Sequence, residues 1–142
     1  MRISEILRNK GSGVCTVPPE TPICELLGDF ARYNIGAMVV VEDDAVVGII
    51  TERDVVRSLN HRGPSILADT ARNLMTTDVA TCLLSDTVHS LAETMTDRRV
   101  RHLPVVEDGR LVGIVSIGDI VKSRLDELQS ERDQLASYIH GG

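Results

Sequence analysis

Thr51 and Asp54 stand three residues apart, and Ser116 and Asp119 repeat that arrangement in the second half of the chain. A hydroxyl followed three positions later by a carboxylate can do two kinds of work. It can form a capping box, in which the hydroxyl accepts from a backbone N–H of the first helical turn and the acid reaches back to the N-cap N–H. Asp is short for that reach, and Glu or Gln is the usual partner. Alternatively, the two carboxylate oxygens can accept from the hydroxyls of a cis-diol such as a ribose. A helix N-terminus beside the acid then favours a phosphate. A bound phosphate would call for cations. Arg53 adjoins Asp54, and Arg101 and His102 stand just before an apolar run in the second half. The residues alone leave both readings open.

The surroundings of the two pairs are also alike. Laying residues 16–58 over residues 81–123 needs no gap. From Gly36 onward, GAMVVVEDDAVVGIITERDVVRS falls on RHLPVVEDGRLVGIVSIGDIVKS with ten identities in 23 positions, among them Gly48/Gly113 and Asp54/Asp119. Capping explains each pair but not this wider likeness. Two copies are too few for an open stack of repeats, so a closed pairing about a pseudo-two-fold axis is expected.

Each copy reads β-α-β-β-α. Short strands are expected over Val14 to Val17 and Val79 to Leu83. Thr21, with Pro22 at the first helical position, and Asp86 are expected to cap the helices that follow. Ile23, Leu26, Leu27, Phe30 and Ala31 share one helical face, as do Val88, Leu91, Ala92 and Met95. Two β-branched runs follow in each copy, joined by EDDA in the first and EDGR in the second; Asp108-Gly109 is a hairpin signal. A second helix is expected from about Glu52 to Leu59 and from Ile117 onward. NHRGPSILAD reads as a loose connector, and RISEIL and ARNLM as lead-in helices, one for each copy. The expected class is α+β. The expected units are residues 1–62, residues 68–124 and a helical extension over 125–142. Near-continuous apolar strands imply sheets covered on both faces. A single unit of about 60 residues would bury only a marginal core alone, so pairing the copies both stabilises them and creates a cleft.

These features resemble tandem CBS domains (cystathionine β-synthase domains). The carriers are the hydrophobic run, the acidic turn, the Gly-h-h-[Ser/Thr]-x-x-Asp motif and the duplication, over about residues 1–124. The resemblance implies a stand-alone regulatory pair, not an enzyme, that binds an adenosine-containing ligand: AMP foremost, with ADP, ATP, NAD or S-adenosylmethionine as the others. It assigns the ribose hydroxyls to Asp54 and Asp119, with Thr51 and Ser116 beside them. It places adenine against Ile35, Gly36, Ala37 and Met38 in one cleft and Val100 and Arg101 in the other. It gives Arg53, Arg101 and His102 to phosphate. Gly36-Ala37 stands where the second copy has Arg101-His102, and Gly118 stands where the first has Arg53, so the two clefts are expected to be unequal. The family resemblance also implies a homodimer.

Composition narrows the other classes. A formal net charge of −6 argues against nucleic acid or an anionic membrane as the main partner. No apolar run of 18 residues is present. Cys15, Cys24 and Cys82 form no CxxC pair and suit reduced thiols in a cytoplasm. His61, His89, His102 and His140 are scattered, so no metal site is expected. No GxSxG, P-loop or GxGxxG is present. Val121, Leu125, Leu128, Leu135 and Ile139 make a heptad-like stripe, broken by Arg132. It suits either a dimer contact or a helix folded back on its own module. The rival functions are an interaction protein of the same fold with empty clefts, and an unrecognised nucleotide-processing enzyme.

Overall fold

The computed structural model describes residues 1–141; residue 142, the last of the expected extension, lies outside them. The chain runs α1 (Ile3–Lys10), β1 (Thr16–Val17), α2 (Ile23–Tyr33), β2 (Ala37–Glu42), β3 (Ala45–Thr51) and α3 (Glu52–Arg62). A 3₁₀ helix over Gly63–Ala68 leads to α4 (Ala71–Leu74), α5 (Val88–Arg98), β4 (His102–Glu107), β5 (Arg110–Ser116) and α6 (Ile117–Gly141). The class is α+β, and the two copies fold alike.

The hairpins show how closely the copies agree. β2 pairs with β3, and β4 with β5, antiparallel, with register shifts at Val40/Val41 and at Val105/Val106. The turns hold two consecutive positive φ angles, 52° and 62° at Asp43 and Asp44, and 52° and 76° at Asp108 and Gly109. Positive φ at both central residues is the two-residue turn whose twist matches the flanking strands.

Alternation along the strands sorts the side chains. Met38, Val40 and Ile50 join one core with Val17, Ile23, Leu26, Phe30 and Val55. Leu103, Val105 and Val115 join a second core with Cys82, Val88, Leu91, Met95 and Ile120. Val39, Ile49 and Pro104 are buried on the opposite faces, and β3 touches β5 there, so the two hairpins back onto each other.

The lead-in helices pack across the copies. Ile3, Ile6 and Leu7 of α1 belong to the second core, while Ile66, Ala71 and Leu74 belong to the first. Backbone bonds fix the exchange: Ile3 N–H donates to Asp86 O at 2.9 Å, and Ile23 N–H donates to Asp69 O at 2.9 Å. Each copy therefore closes its core with a segment that precedes the other. The glycines of the repeated motif make room for this. A Cβ on Gly113 would meet Leu7 Cδ1 at 2.7 Å, and one on Gly48 would overlap the Met75 thioether and meet Thr76 O at 3.1 Å.

Several sequence expectations are corrected. The leading strands expected over Val14 to Val17 and Val79 to Leu83 are shorter: β1 covers only Thr16–Val17, parallel to Val39–Val40, and Val79 to Leu83 forms a single parallel bridge from Cys82 to Val105. The ladder stops there because the Leu83 N–H donates to the Asp86 carboxylate at 2.8 Å. Asp86 is thereby spent on the turn, and Thr87 caps α5, accepting from Ser90 N–H at 3.1 Å. Thr21 does not cap α2; its hydroxyl donates to Pro18 O at 2.8 Å, and Pro22 occupies the cap position rather than the first helical one. The connector is not loose: α3 continues to Arg62, and Ile66 is fully buried. Ala31 is exposed. The C-terminal stripe does not fold back. Ile120 and Ser123 of α6 are buried, whereas Leu125, Leu135 and Ile139 are 61%, 64% and 72% exposed.

Candidate functional site

Both hydroxyl-x-x-aspartate pairs sit where a strand gives way to a helix. Asp54 Oδ2 accepts from Thr51 N–H at 2.9 Å and from the Thr51 hydroxyl at 3.0 Å, and Asp54 N–H donates back to Thr51 Oγ1 at 3.2 Å. Asp119 repeats this with Ser116 at 2.9, 3.1 and 3.3 Å. The capping geometry is therefore present in both copies, and Asp is long enough to make it. In each copy it engages one carboxylate oxygen, Oδ2.

The second oxygens differ. Asp54 Oδ1 accepts from the Thr76 hydroxyl at 3.2 Å. Asp119 Oδ1 has no protein hydrogen bond among the described residues, while Oδ2 also takes the Lys10 ammonium at 2.6 Å. Lys10 closes α1, and its ammonium donates as well to Ile114 O at 2.9 Å. Lys10 and Thr76 both arrive with the exchanged lead-in segments. Burial raises the Asp119 carboxyl, but hydrogen bonds from Lys10 and from the Ser116 backbone outweigh it, and the group is held below the ordinary carboxylate value.

The copies meet at Gly36 and His102. A Cβ on Gly36 would stand 3.8 Å from His102 Cε1 and 3.9 Å from the Glu52 carboxyl carbon. Burial pushes the His102 imidazole below its ordinary value. The Asp119 and Glu52 carboxylates oppose that shift, and the Lys10 and Arg101 cations add to it. Gly36 O accepts from Glu52 N–H at 3.1 Å, and Arg101 O accepts from Ile117 N–H at 2.8 Å, the same bond in each copy. These bonds tie the strand that opens each hairpin to the helix that follows it.

The structure thus groups Asp119, Ser116, Arg101 and His102, and it brings Gly36 to His102. Thr51 and Asp54 form the counterpart end of the first copy, with Arg53 exposed beside them. Ile35 packs against the first core, Met38 lies within it and Val100 packs against the second. Their side chains are already engaged, and Ala37 is buried in β2. Two open depressions lie elsewhere. One of about 260 Å³ is lined by Ala45, Thr77, Thr81 and Gly109. Another, of about 460 Å³, is lined by Arg2, Leu83, Ser85 and Asp108. Neither is bordered by the assigned residues. Sequence reading missed Lys10, Glu52 and Thr76. Lys10 carried one local signal, a basic residue in the last turn of a helix, but nothing local says which acid it reaches.

No helix among the described residues is long and apolar enough to cross a membrane. The CBS domain family matches residues 4–61 and 71–126. The chain is 34% identical over 151 residues to a mitochondrial CBS domain-containing protein of Arabidopsis thaliana, covering 99% of this chain and 72% of that one. A CBS-domain containing protein from Agrobacterium tumefaciens superposes with a TM-score of 0.84 at 43% identity, over 87% of this chain and 92% of the other. A CBS domain protein from Pyrobaculum aerophilum, solved complexed with AMP, superposes with a TM-score of 0.74 at 30% identity, over 84% and 89%. Duplicated hairpins, paired strand-to-helix aspartates and these likenesses lead to one conclusion: the chain belongs to the CBS-domain family, as a tandem pair.

Proposed function

We propose that this CBS pair is a regulatory module, without catalytic activity of its own, that binds an adenosine-containing nucleotide between its repeats, AMP foremost. The observation that carries this reading is the Asp119 carboxylate. One of its oxygens is fixed by the helix cap, and the other is free of protein partners among the described residues. Cations stand near it, with Lys10 in contact and Arg101 beside the adjoining strand, where the His102 imidazole, held below its ordinary value by burial, adds a polar group. A fixed acid with a free oxygen suits a ribose diol, and the cations suit a phosphate. The AMP bound to the Pyrobaculum aerophilum relative points to the same ligand class. On this reading Asp54 and Thr51 hold the second ribose, the backbone at Gly36, Ala37 and Arg101 meets adenine, and Arg53, Arg101 and His102 meet phosphate.

The module would signal by population shift, the ligand favouring one arrangement of repeats or protomers over another. The protomers would pair as a homodimer through the exposed stripe of α6. The free Cys15, Cys24 and Cys82 suit a reducing compartment, in our reading the cytoplasm.

One observation favours a second reading, an interaction protein with unused clefts: the two depressions described above lie away from both aspartates. A thermal-shift panel with AMP, ADP, ATP, NAD, NADH and S-adenosylmethionine separates the two. A ligand at about 100 times its dissociation constant adds roughly 2.7 kcal/mol, a rise of several degrees for a chain of this size. Asp119→Ala and Asp54→Ala are expected to weaken binding and also to lower the melting temperature modestly, since each removes a cap worth about 1 kcal/mol. Stabilisation by none of the ligands supports the second reading. Full binding by both variants, with melting lowered, would make the aspartates caps alone.

A further inference from the structure

Lys10 enters the site from the far end of the chain. The apolar face of α1 is anchored in the second core through Ile3, Ile6 and Leu7, and this places the last residue of the helix over β5. There the ammonium spans Asp119 Oδ2 and Ile114 O, at 2.6 and 2.9 Å. An ammonium has three donors. Two are used, and the third has no protein acceptor among the described residues. The Lys10 side chain is 32% exposed and that of Asp119 is 22% exposed, so the pair is open to a ligand. A free donor on a fixed cation thus lies beside the acid whose second oxygen is also free.

The first copy has no such group. Equivalent backbone bonds match Ile3 to Ala71 and Ser4 to Arg72, so Met75, over Gly48, is the counterpart of Leu7, over Gly113, and the acidic Asp78 falls in the place of Lys10. The contact to Asp54 from this segment is the neutral Thr76 hydroxyl. The two acids are therefore presented with different electrostatics by otherwise matching segments.

We propose that Lys10 makes the Asp119 site selective for adenosine ligands that carry a phosphate, with no counterpart at Asp54. The inference rests on the nucleotide reading above and adds the residue that reads the charge. The ammonium keeps its bond to Asp119 and directs its third N–H to a phosphate oxygen, while the ribose takes Asp119 Oδ1. A charge-assisted bond of this kind is among the stronger ones available to a side chain.

The test is calorimetric titration of the full chain with AMP and with adenosine, for the native protein, Lys10→Met and Lys10→Arg. Lys10→Met removes the ammonium and keeps an unbranched side chain of similar length. It is expected to weaken AMP roughly 10- to 100-fold at one site, with adenosine changed by less than about threefold. Lys10→Arg, which keeps the charge, is expected to recover most of the AMP affinity. Equal losses for AMP and adenosine would overturn the proposal, because Lys10 would then only hold Asp119 in place. So would unchanged affinity for both, with only the melting temperature lowered. If the native protein binds neither ligand, the nucleotide reading itself fails, a result distinct from either of those.

Discussion

Leu7 of α1 lies so close to Gly113 of β5 that a methyl group on the glycine would stand 2.7 Å from Leu7 Cδ1 and 2.9 Å from Cδ2. The repeated glycine is there because a helix from the other repeat crosses the strand. Gly113→Ala is expected to cost about 1–3 kcal/mol through overpacking, and Leu7→Ala about 2–5 kcal/mol through the lost burial. Because the two groups touch, the double variant should lose less than the two single losses combined. Chemical denaturation of the four proteins measures the coupling, and strict additivity would show that α1 does not sit where the structure puts it.

The acidic turns offer a comparison within one molecule. Asp44 holds φ at 62°, and its counterpart Gly109 holds 76°. Glycine adopts this conformation without steric cost, whereas Asp tolerates it at some cost. Asp44→Gly is therefore expected to leave stability unchanged or raise it, by up to about 1 kcal/mol, despite the larger entropy of the unfolded chain. A loss above that size in thermal melts would mean that the Asp44 side chain contributes something the turn geometry does not show.

Asp69 joins the connector to the start of α4. It accepts from Asn73 Nδ2 at 2.7 Å and from Thr70 N–H at 2.8 Å, and pairs with Arg62 at 2.7 Å. These bonds lower its carboxyl from the ordinary 3.8 to about 2, with the Asn73 bond the largest cause. A folded value below the unfolded one means that the contribution is complete above about pH 4 and disappears as the pH falls toward 2. Asp69→Asn is expected to be less stable than the native protein at pH 7 and equal to it near pH 2. Urea titrations across that range check this, and a constant difference at all pH values would refute it.

Past Glu127 every described residue of α6 is exposed, yet the helix carries the apolar stripe that ends at Ile139. A helix with an uncovered stripe of this kind is stabilised by a partner more than by propensity. Leu125→Asp combined with Leu135→Asp is expected to turn the proposed homodimer into a monomer with both repeats still folded. Light scattering with circular dichroism reads both quantities, and a native protein that is already monomeric at micromolar concentration would remove the proposed dimer.

The sequence alone determined the duplication, the order of elements in the first copy and of all but the leading strand in the second, the hairpin turns and the placing of hydroxyl-x-x-aspartate at the strand-to-helix junctions. Each of these is written in neighbouring residues, through period, turn chemistry and the match of one half to the other. It misplaced two helix caps, because Asp86 and Thr21 bond to turns whose course depends on what packs behind them. Tertiary structure alone decided that α1 closes the second core and that Ile66, Ala71 and Leu74 close the first. An apolar helical face records that it will be buried, but not against which of two similar surfaces. The same packing carried Lys10 to Asp119 and Thr76 to Asp54, so the difference between the two acids is a product of the exchange and not of either motif. Nothing in a 3.6-residue period encodes a contact between the first helix and the last strand; the fit of Leu7 over Gly113 does.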